Sequence, residues 1–290
     1  MEHTFRLIAA LPDNMKFNRH PGVIPGYMSY KIGDDFHLYR SRVASMLRGG
    51  IMIIEDCHYS GQGKTGPLLS EIISECAVNG FAGIVLDFSQ VYPSLVLLTR
   101  QLNTLAVRNG LELYVNEAYA EYCKNGSVIL STALSGGTLF GYLKDAAVKY
   151  GPDHIAVNRE FAMADFTLPS KDGCGRDITK QELEKLSGLF PCKHFFSPEL
   201  CLYYFTFNGT ADNFSTNATS STKAGNTIIG STVTGDTPAS NNNQCRHFIL
   251  YDTSASIKRK ISIASSLGIS TGFINYAQAA SHLDSITGLS

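Results

Sequence analysis

The chain has 290 residues, of which 44% are hydrophobic and 17% charged, and its formal net charge is −1. That length suits one large domain or two small ones and can bury a sizeable core. The near-neutral balance gives no basis for holding a polyanion, so nucleic acid and anionic membrane surfaces are set aside as partners, and no apolar run approaches the ~20 residues that span a bilayer.

The start, Met1 to Met15, reads as a poor signal peptide, because the apolar stretch Leu7–Leu11 is short and Glu2 stands where basic residues would. The expected compartment is cytoplasmic if this N-terminus is native, and cell envelope or secreted if a leader was removed. Seven cysteines at wide spacings contain no C-x-x-C pair, which argues against a structural zinc site and fits small buried side chains in a reducing compartment.

In chain order, the strand candidates are Phe5–Leu11, Ile51–Glu55, Gly83–Phe88, Glu112–Asn116, Val128–Ala133, Phe161–Thr167, His247–Tyr251 and Gly272–Tyr276. Several are nearly continuous runs of Ile, Val, Leu and Phe, the pattern of parallel strands covered on both faces. Helices between them carry boundary signals. Thr65 precedes Pro67, Thr138 opens a segment that stops at Gly151, and Thr179 with Glu182 forms a T-x-x-E capping box. Ser197-Pro198-Glu199 reads as a further helix start, and Ser254 caps a segment that ends at Gly268. About eight strand–helix units predict a closed TIM (β/α)8-type α/β barrel, one domain over residues 1–290. Asn208–Gln244 departs from this pattern. It is rich in Ser, Thr and Asn, is charged only at Asp212, Lys223 and Asp236, and reads as an inserted loop or hairpin. Its N-x-S/T triplets at Asn208, Asn213 and Asn217 are taken as a consequence of that composition.

The most informative segment is Phe81-Ala82-Gly83-Ile84-Val85-Leu86-Asp87-Phe88-Ser89. A hydrophobic strand ends in a carboxylate, and side chains two apart share a side. Asp87 and Ser89 are therefore expected at the C-terminal mouth of the barrel, where barrel enzymes keep their sites. The alternative is an Asp that caps the following helix.

These residues resemble glycoside hydrolase family 18, the chitinase-like barrels that include spore and peptidoglycan enzymes. The family's fourth strand reads D-x-x-D-x-D-x-E, which falls on Ala82, Val85, Asp87 and Ser89, so that only the last Asp remains. Tyr251-Asp252, Ser256-Ile257-Lys258, Leu267-Gly268 and Gly272-Phe273-Ile274-Asn275-Tyr276 resemble the family's last repeat, with Tyr276 where a Trp usually ends the strand. Met163-Ala164-Asp165 resembles Met-x-Tyr-Asp. The resemblance implies substrate-assisted retaining chemistry, in which the Glu protonates the leaving oxygen and the neighbouring Asp orients the substrate's acetamido group. Ser89 cannot supply a tuned carboxylic acid.

The resulting expectation is a barrel that binds an N-acetylhexosamine polymer such as peptidoglycan glycan or chitin, impaired in catalysis, with no cofactor and no metal. Asp87, Glu117 and Asp165 are the candidate catalytic residues, and Glu55, Ser89, Asn116 and Tyr276 the candidate ligand contacts. One alternative is an active glycosidase whose acid is Glu117, Glu55 or Asp87, since crowded carboxylates raise one another's pKa. Pairing of these acids with Arg159, Lys64 or helix termini is the plainer possibility. A second alternative is a nucleotide-binding protein built on Ser60-Gly61-Gln62-Gly63-Lys64-Thr65, in which His58 takes the place of the first glycine of a phosphate-binding loop. His58, His194 and His247 lack metal-site spacing, and Tyr203–Phe207 reads as packing more than as a sugar platform.

Overall fold

The computed structural model describes residues 5–56, 63–134, 136–158, 161–168, 175–190, 192–210 and 244–287. Its strands are β1 (Arg6–Leu11), β2 (Val23–Ile32), β3 (Leu38–Arg40), β4 (Ile51–Asp56), β5 (Gly83–Asp87), β6 (Glu112–Asn116) and β7 (Ser127–Ser131), followed by β8 (Ile155–Asn158), β9 (Met163–Leu168), β10 (Arg176–Asp177), β11 (Phe195–Ser197), β12 (Leu202–Thr210), β13 (Gln244–Tyr251) and β14 (Thr271–Asn275). The helices are α1 (Thr65–Asn79), α2 (Pro93–Arg108), α3 (Leu139–Tyr150), α4 (Lys180–Leu189), α5 (Ser254–Ser266), α6 (Tyr276–Ala279) and α7 (Leu283–Thr287). Among the described residues no helix is long and apolar enough to cross a membrane. The described residues form two compact units, one within Met1–Thr132, Leu143–Glu160 and Ile261–Ser290, the other within Ala133–Tyr142 and Phe161–Lys260.

The first unit is a closed barrel. Strands β1, β2, β4, β5, β6, β7, β8 and β14 pair in parallel in that order, and β14 returns to β1. The short β3 adds antiparallel to β2. Alternation sorts each strand into two rows. Ile8, Ile53, Val85, Tyr114, Ala156 and Phe273 fill the barrel interior. Ile54, Ile84, Leu86 and Val115 face outward onto Leu68 and Ile72 of α1 and Leu98 and Leu102 of α2. Both rows are apolar, which is why β4 and β5 read as continuous hydrophobic runs. Gly26 keeps the interior filled without overcrowding, since a Cβ there would stand 3.0 Å from the Ile53 side chain and 3.1 Å from that of Ile8. At the N-terminal end of the strands, Glu112 accepts hydrogen bonds from Arg6 at 2.5 Å and from the Tyr114 hydroxyl at 2.8 Å. Between β6 and β7 a short 3₁₀ helix, Glu117–Tyr122, takes the place of an α-helical crossover.

The second unit is a five-stranded antiparallel sheet in the order β10-β9-β13-β12-β11. One face packs Phe205, Phe207 and Ile249 against Ile178 and Leu186 of the α4 region. The other buries Ala164, Phe166, Leu202 and Leu250. The expected capping box starts α4: the Glu182 N–H donates to Thr179 Oγ1 at 3.2 Å, and the Thr179 N–H donates to the Glu182 carboxylate at 2.7 Å. Where α5 begins, Asp252 is buried with Lys260 (Nζ to Oδ2 2.7 Å) and with the Ser256 hydroxyl (2.5 Å).

The barrel class is as expected, but two of its strands are not those expected. Met163–Leu168 and Gln244–Tyr251 pair antiparallel with each other in the second unit, while β2 and β8 complete the barrel. A sheet buried on both faces produces the same apolar run as a parallel strand, so β9 and β13 carried a false signal. Strand β2 contains Pro25, Gly26 and a register shift between Tyr27 and Tyr30, and β8 has only four residues. Ser197-Pro198-Glu199 does not start a helix. The Ser197 hydroxyl donates to Glu199 and accepts from the Leu200 N–H, which closes a turn between β11 and β12. Thr65 is the first residue of α1 and not its cap. The expected insertion, Asn208–Gln244, begins and ends in the paired strands β12 and β13. Its residues 211–243 lie outside the described residues, as do His58, Ser60, Gly61 and Gln62 of the glycine-containing loop and Arg159.

Candidate functional site

The rows that fill the barrel end in polar side chains at the C-terminal mouth. Ile53, Val85, Tyr114, Ala156 and Phe273 are buried to within a few per cent of full coverage. Two positions further along the same strands stand Glu55, Asp87, Asn116, Asn158 and Asn275, all at least partly exposed. Ser131 follows Ile129 in the same way on β7. The mouth therefore changes over one residue pair from an apolar plug to a ring of carboxylates, amides and a hydroxyl.

Within the ring the acids are neighbours. Lys31, Glu55 and Asp87 are register partners across β2, β4 and β5, and paired residues of a parallel sheet share a face. Lys31 Nζ lies 3.1 Å from the Glu55 carboxylate. Asn116 sits on the next strand. Its Nδ2 donates to the Phe88 carbonyl at 2.5 Å and so ties the end of β6 to the end of β5.

Ser89 is held from the side. Both oxygens of Asp56 accept from it, one from the Ser89 N–H and one from its hydroxyl, each at 2.9 Å. Asp56 is in register with Ile32, one residue beyond Glu55, and leans across to the loop that follows β5. Phe88 packs edge-on against Tyr119, whose hydroxyl donates to the Gln90 carbonyl at 2.6 Å. Burial pushes the Tyr119 phenol up to about 12, with the nearby Asp56 charge acting in the same direction.

The structure brings Glu55, Asp87 and Asn116 together at the mouth, with Ser89 on the loop just beyond. The other candidates belong to none of β4, β5 and β6. Glu117 opens the 3₁₀ turn after β6 and lines a cavity of about 690 Å³ with Glu121, Lys124, Lys149, Tyr150 and His154. Tyr276 opens α6 and is 2% exposed: it packs against Phe17 at 5.5 Å and accepts the Asn18 N–H at 3.0 Å, so its ring has no open face. Asp165 belongs to β9 of the antiparallel sheet and not to a barrel strand. It pairs with His247 Nδ1 at 2.9 Å in the buried layer of the second unit, with Arg176 at 3.8 Å. Among the described residues no three His, Cys, Asp or Glu side chains are grouped to hold a metal ion. Sequence reasoning passed over Lys31, Ser131, Asn158 and Asn275. Alternation along β7 and β14 was available to reveal Ser131 and Asn275. Lys31 and Asn158 were lost with the strands that carry them.

No sequence-family profile matches the chain, and no curated protein is similar to it in sequence. Solved structures do match. The C-terminal domain of a putative chitinase from Desulfitobacterium hafniense has a TM-score of 0.64 at 10% identity over 99% of both chains. The Bacillus cereus spore cortex-lytic enzyme SleL gives 0.62 at 13% identity over 94% of this chain and 71% of its own. The family GH18 chitinase of Cycas revoluta, solved with allosamidin, gives 0.59 at 11% identity over 97% of each chain. The fold is that of the family 18 barrels. Counted around the barrel from β1, β5 is the fourth strand; Asp87 is its last residue, and Ser89 lies on the loop that follows.

Proposed function

We propose that this family 18-like barrel binds an N-acetylhexosamine glycan, such as chitin or peptidoglycan glycan, at the C-terminal mouth of β4, β5 and β6, and does not hydrolyse it by the family's usual route. One observation carries the reading: two positions after Asp87, where the family's acid would fall, stands Ser89, and its hydroxyl is already bonded to Asp56. A serine hydroxyl is essentially never acidic near neutral pH, and the loss of general acid catalysis costs ~10²–10⁴-fold in rate. Binding does not need that acid. A ring of amides and carboxylates above an apolar floor suits a ligand dense in hydroxyls and amides, because buried polar groups on both sides are then satisfied. The Cycas revoluta chitinase, solved also with (GlcNAc)₃, has the same fold, which supports this choice of ligand class.

Calorimetry with chitotriose, run beside hydrolysis of a chromogenic chito-oligosaccharide, tests the proposal. Saturable binding without turnover is expected. Turnover at an enzyme-like rate would instead favour an active glycosidase. For that second reading the register pairing of Glu55 with Asp87 is the supporting observation, since two adjacent carboxylates are what such chemistry requires. In that case Glu55→Gln or Asp87→Asn would abolish the rate.

A further inference from the structure

Asn116 reaches the mouth by plain strand alternation: Leu113 and Val115 pack outward and Tyr114 into the interior, which puts Asn116, two residues on, on the same side as Tyr114. One end of its amide is committed, because Nδ2 donates to the Phe88 carbonyl at 2.5 Å. That bond also fixes which end is oxygen, since a flipped amide would set oxygen against oxygen. The other end, Oδ1, is buried and has no hydrogen-bond partner among the described residues. A buried acceptor left unpaired carries its full desolvation penalty.

We propose that Asn116 is a specificity-determining residue of the mouth, whose Oδ1 accepts a hydrogen bond from a hydroxyl or acylamino N–H of the bound saccharide. The inference rests on the glycan-binding reading above and adds to it a direction and an atom. The ligand must bring a donor to this point, one strand over from Asp87. A ligand presenting only acceptors leaves Oδ1 unpaired and in addition sets oxygen against oxygen. A site built to meet a donor rejects analogues that lack one far more strongly than an apolar pocket rejects a small change of size.

The test uses the full chain, chitotriose as probe, and two variants. Asn116→Leu keeps the approximate side-chain volume and removes the acceptor. Asn116→Asp keeps an acceptor oxygen in the same place and, when protonated, can still donate to Phe88. Chitotriose affinity is measured by calorimetry across mildly acidic pH, with melting temperature recorded for each protein. For Asn116→Leu the expected result is a loss of at least about tenfold in affinity, the equivalent of one hydrogen bond, beside a fall in melting temperature from the lost tie to the Phe88 carbonyl that removal of the unpaired acceptor offsets only in part. Asn116→Asp is expected to regain most of that affinity toward acidic pH. A Leu variant that binds as well as the wild type overturns the proposal, and so does an Asp variant that loses as much as Leu at every pH, since either result makes Asn116 a structural tie only. If the wild type itself does not bind chitotriose, the glycan-binding reading fails first, so the two failures are distinguishable.

Discussion

Asp56 accepts both hydrogen bonds that Ser89 can donate, from its backbone N–H and from its hydroxyl, at 2.9 Å each. Ser89, the residue that the sequence resemblance sets at the family's proton-donor position, is thus held by a carboxylate from the neighbouring strand. This bears on any attempt to restore activity. Replacing Ser89 with glutamate would set two carboxylates against each other, and like charges at such range push one pKa up and the other side chain away. Ser89→Glu alone is therefore expected to give no turnover of a chromogenic chito-oligosaccharide. Ser89→Glu with Asp56→Asn removes the repulsion and supplies an amide donor to orient the new acid. Recovery is expected only in the double variant, and equal turnover in the single one would remove Asp56 from the argument.

The α4 capping box is expected to matter for the second unit. Arg176 and the Thr179 groups hold the Glu182 carboxyl below its ordinary range. A depressed folded pKa contributes stability that is present above the unfolded value and lost as pH falls through the folded one. Thr179→Ala should cost about 1 kcal/mol in urea unfolding near neutral pH. Its deficit should shrink as acidification protonates Glu182 in both proteins, and a deficit constant down to strongly acidic pH would contradict the coupling.

The four cysteines with described side chains should differ in reactivity. Burial pushes the Cys76 thiol up to about 12 and the Cys123 thiol up to about 11, and burial likewise raises Cys201. The thiolate is the reactive form, so all three should resist alkylation in the native protein. Cys192 is only half-buried. Brief iodoacetamide treatment followed by peptide mass spectrometry should find Cys192 modified ahead of the other three. Early modification of Cys76 would mean that the α1 packing opens readily.

Legibility in the sequence followed the physical strength of each signal. β4 and β5 could be read because both of their faces are buried and the apolar run is unbroken, and Asp87 could be placed because a charge ending such a run has only the mouth to go to. The same rule misled at Phe161–Thr167 and His247–Tyr251, where two buried faces belong to an antiparallel sheet. The capping box at Thr179 was legible since it is wholly local. Long-range polar pairings were not: Ser89 lies 33 positions from Asp56, and nothing in either segment marks the other. Covering of Tyr276 by Phe17 and Asn18 spans 258 positions and was equally invisible, which is why a strand-end aromatic looked like an open stacking surface.

The buried pair Asp252–Lys260 supplies the last prediction. Both side chains are fully covered, 2.7 Å apart, and the carboxylate also accepts from the Ser256 hydroxyl and the Ala162 N–H. Burial raises the Asp252 pKa above its ordinary value, while Lys260, Ser256 and the Ala162 N–H oppose that rise. Lys260→Met keeps the bulk and removes the countercharge, leaving an anion in an apolar site. Breaking a buried pair in this way typically costs 3–5 kcal/mol, so the variant should be much less stable than the wild type in urea at about pH 8. Removing Lys260 raises the folded Asp252 pKa further. A raised acid pKa favours folding below the unfolded value and loses that contribution as pH rises through the folded one. The gap between wild type and variant should therefore narrow on acidification, as the stranded acid takes up a proton. Asp252→Asn in the Lys260→Met background should recover much of the loss at higher pH, since no buried charge remains. A gap independent of pH, together with no recovery in the double variant, would show that Lys260 stabilises through its packed alkyl chain alone.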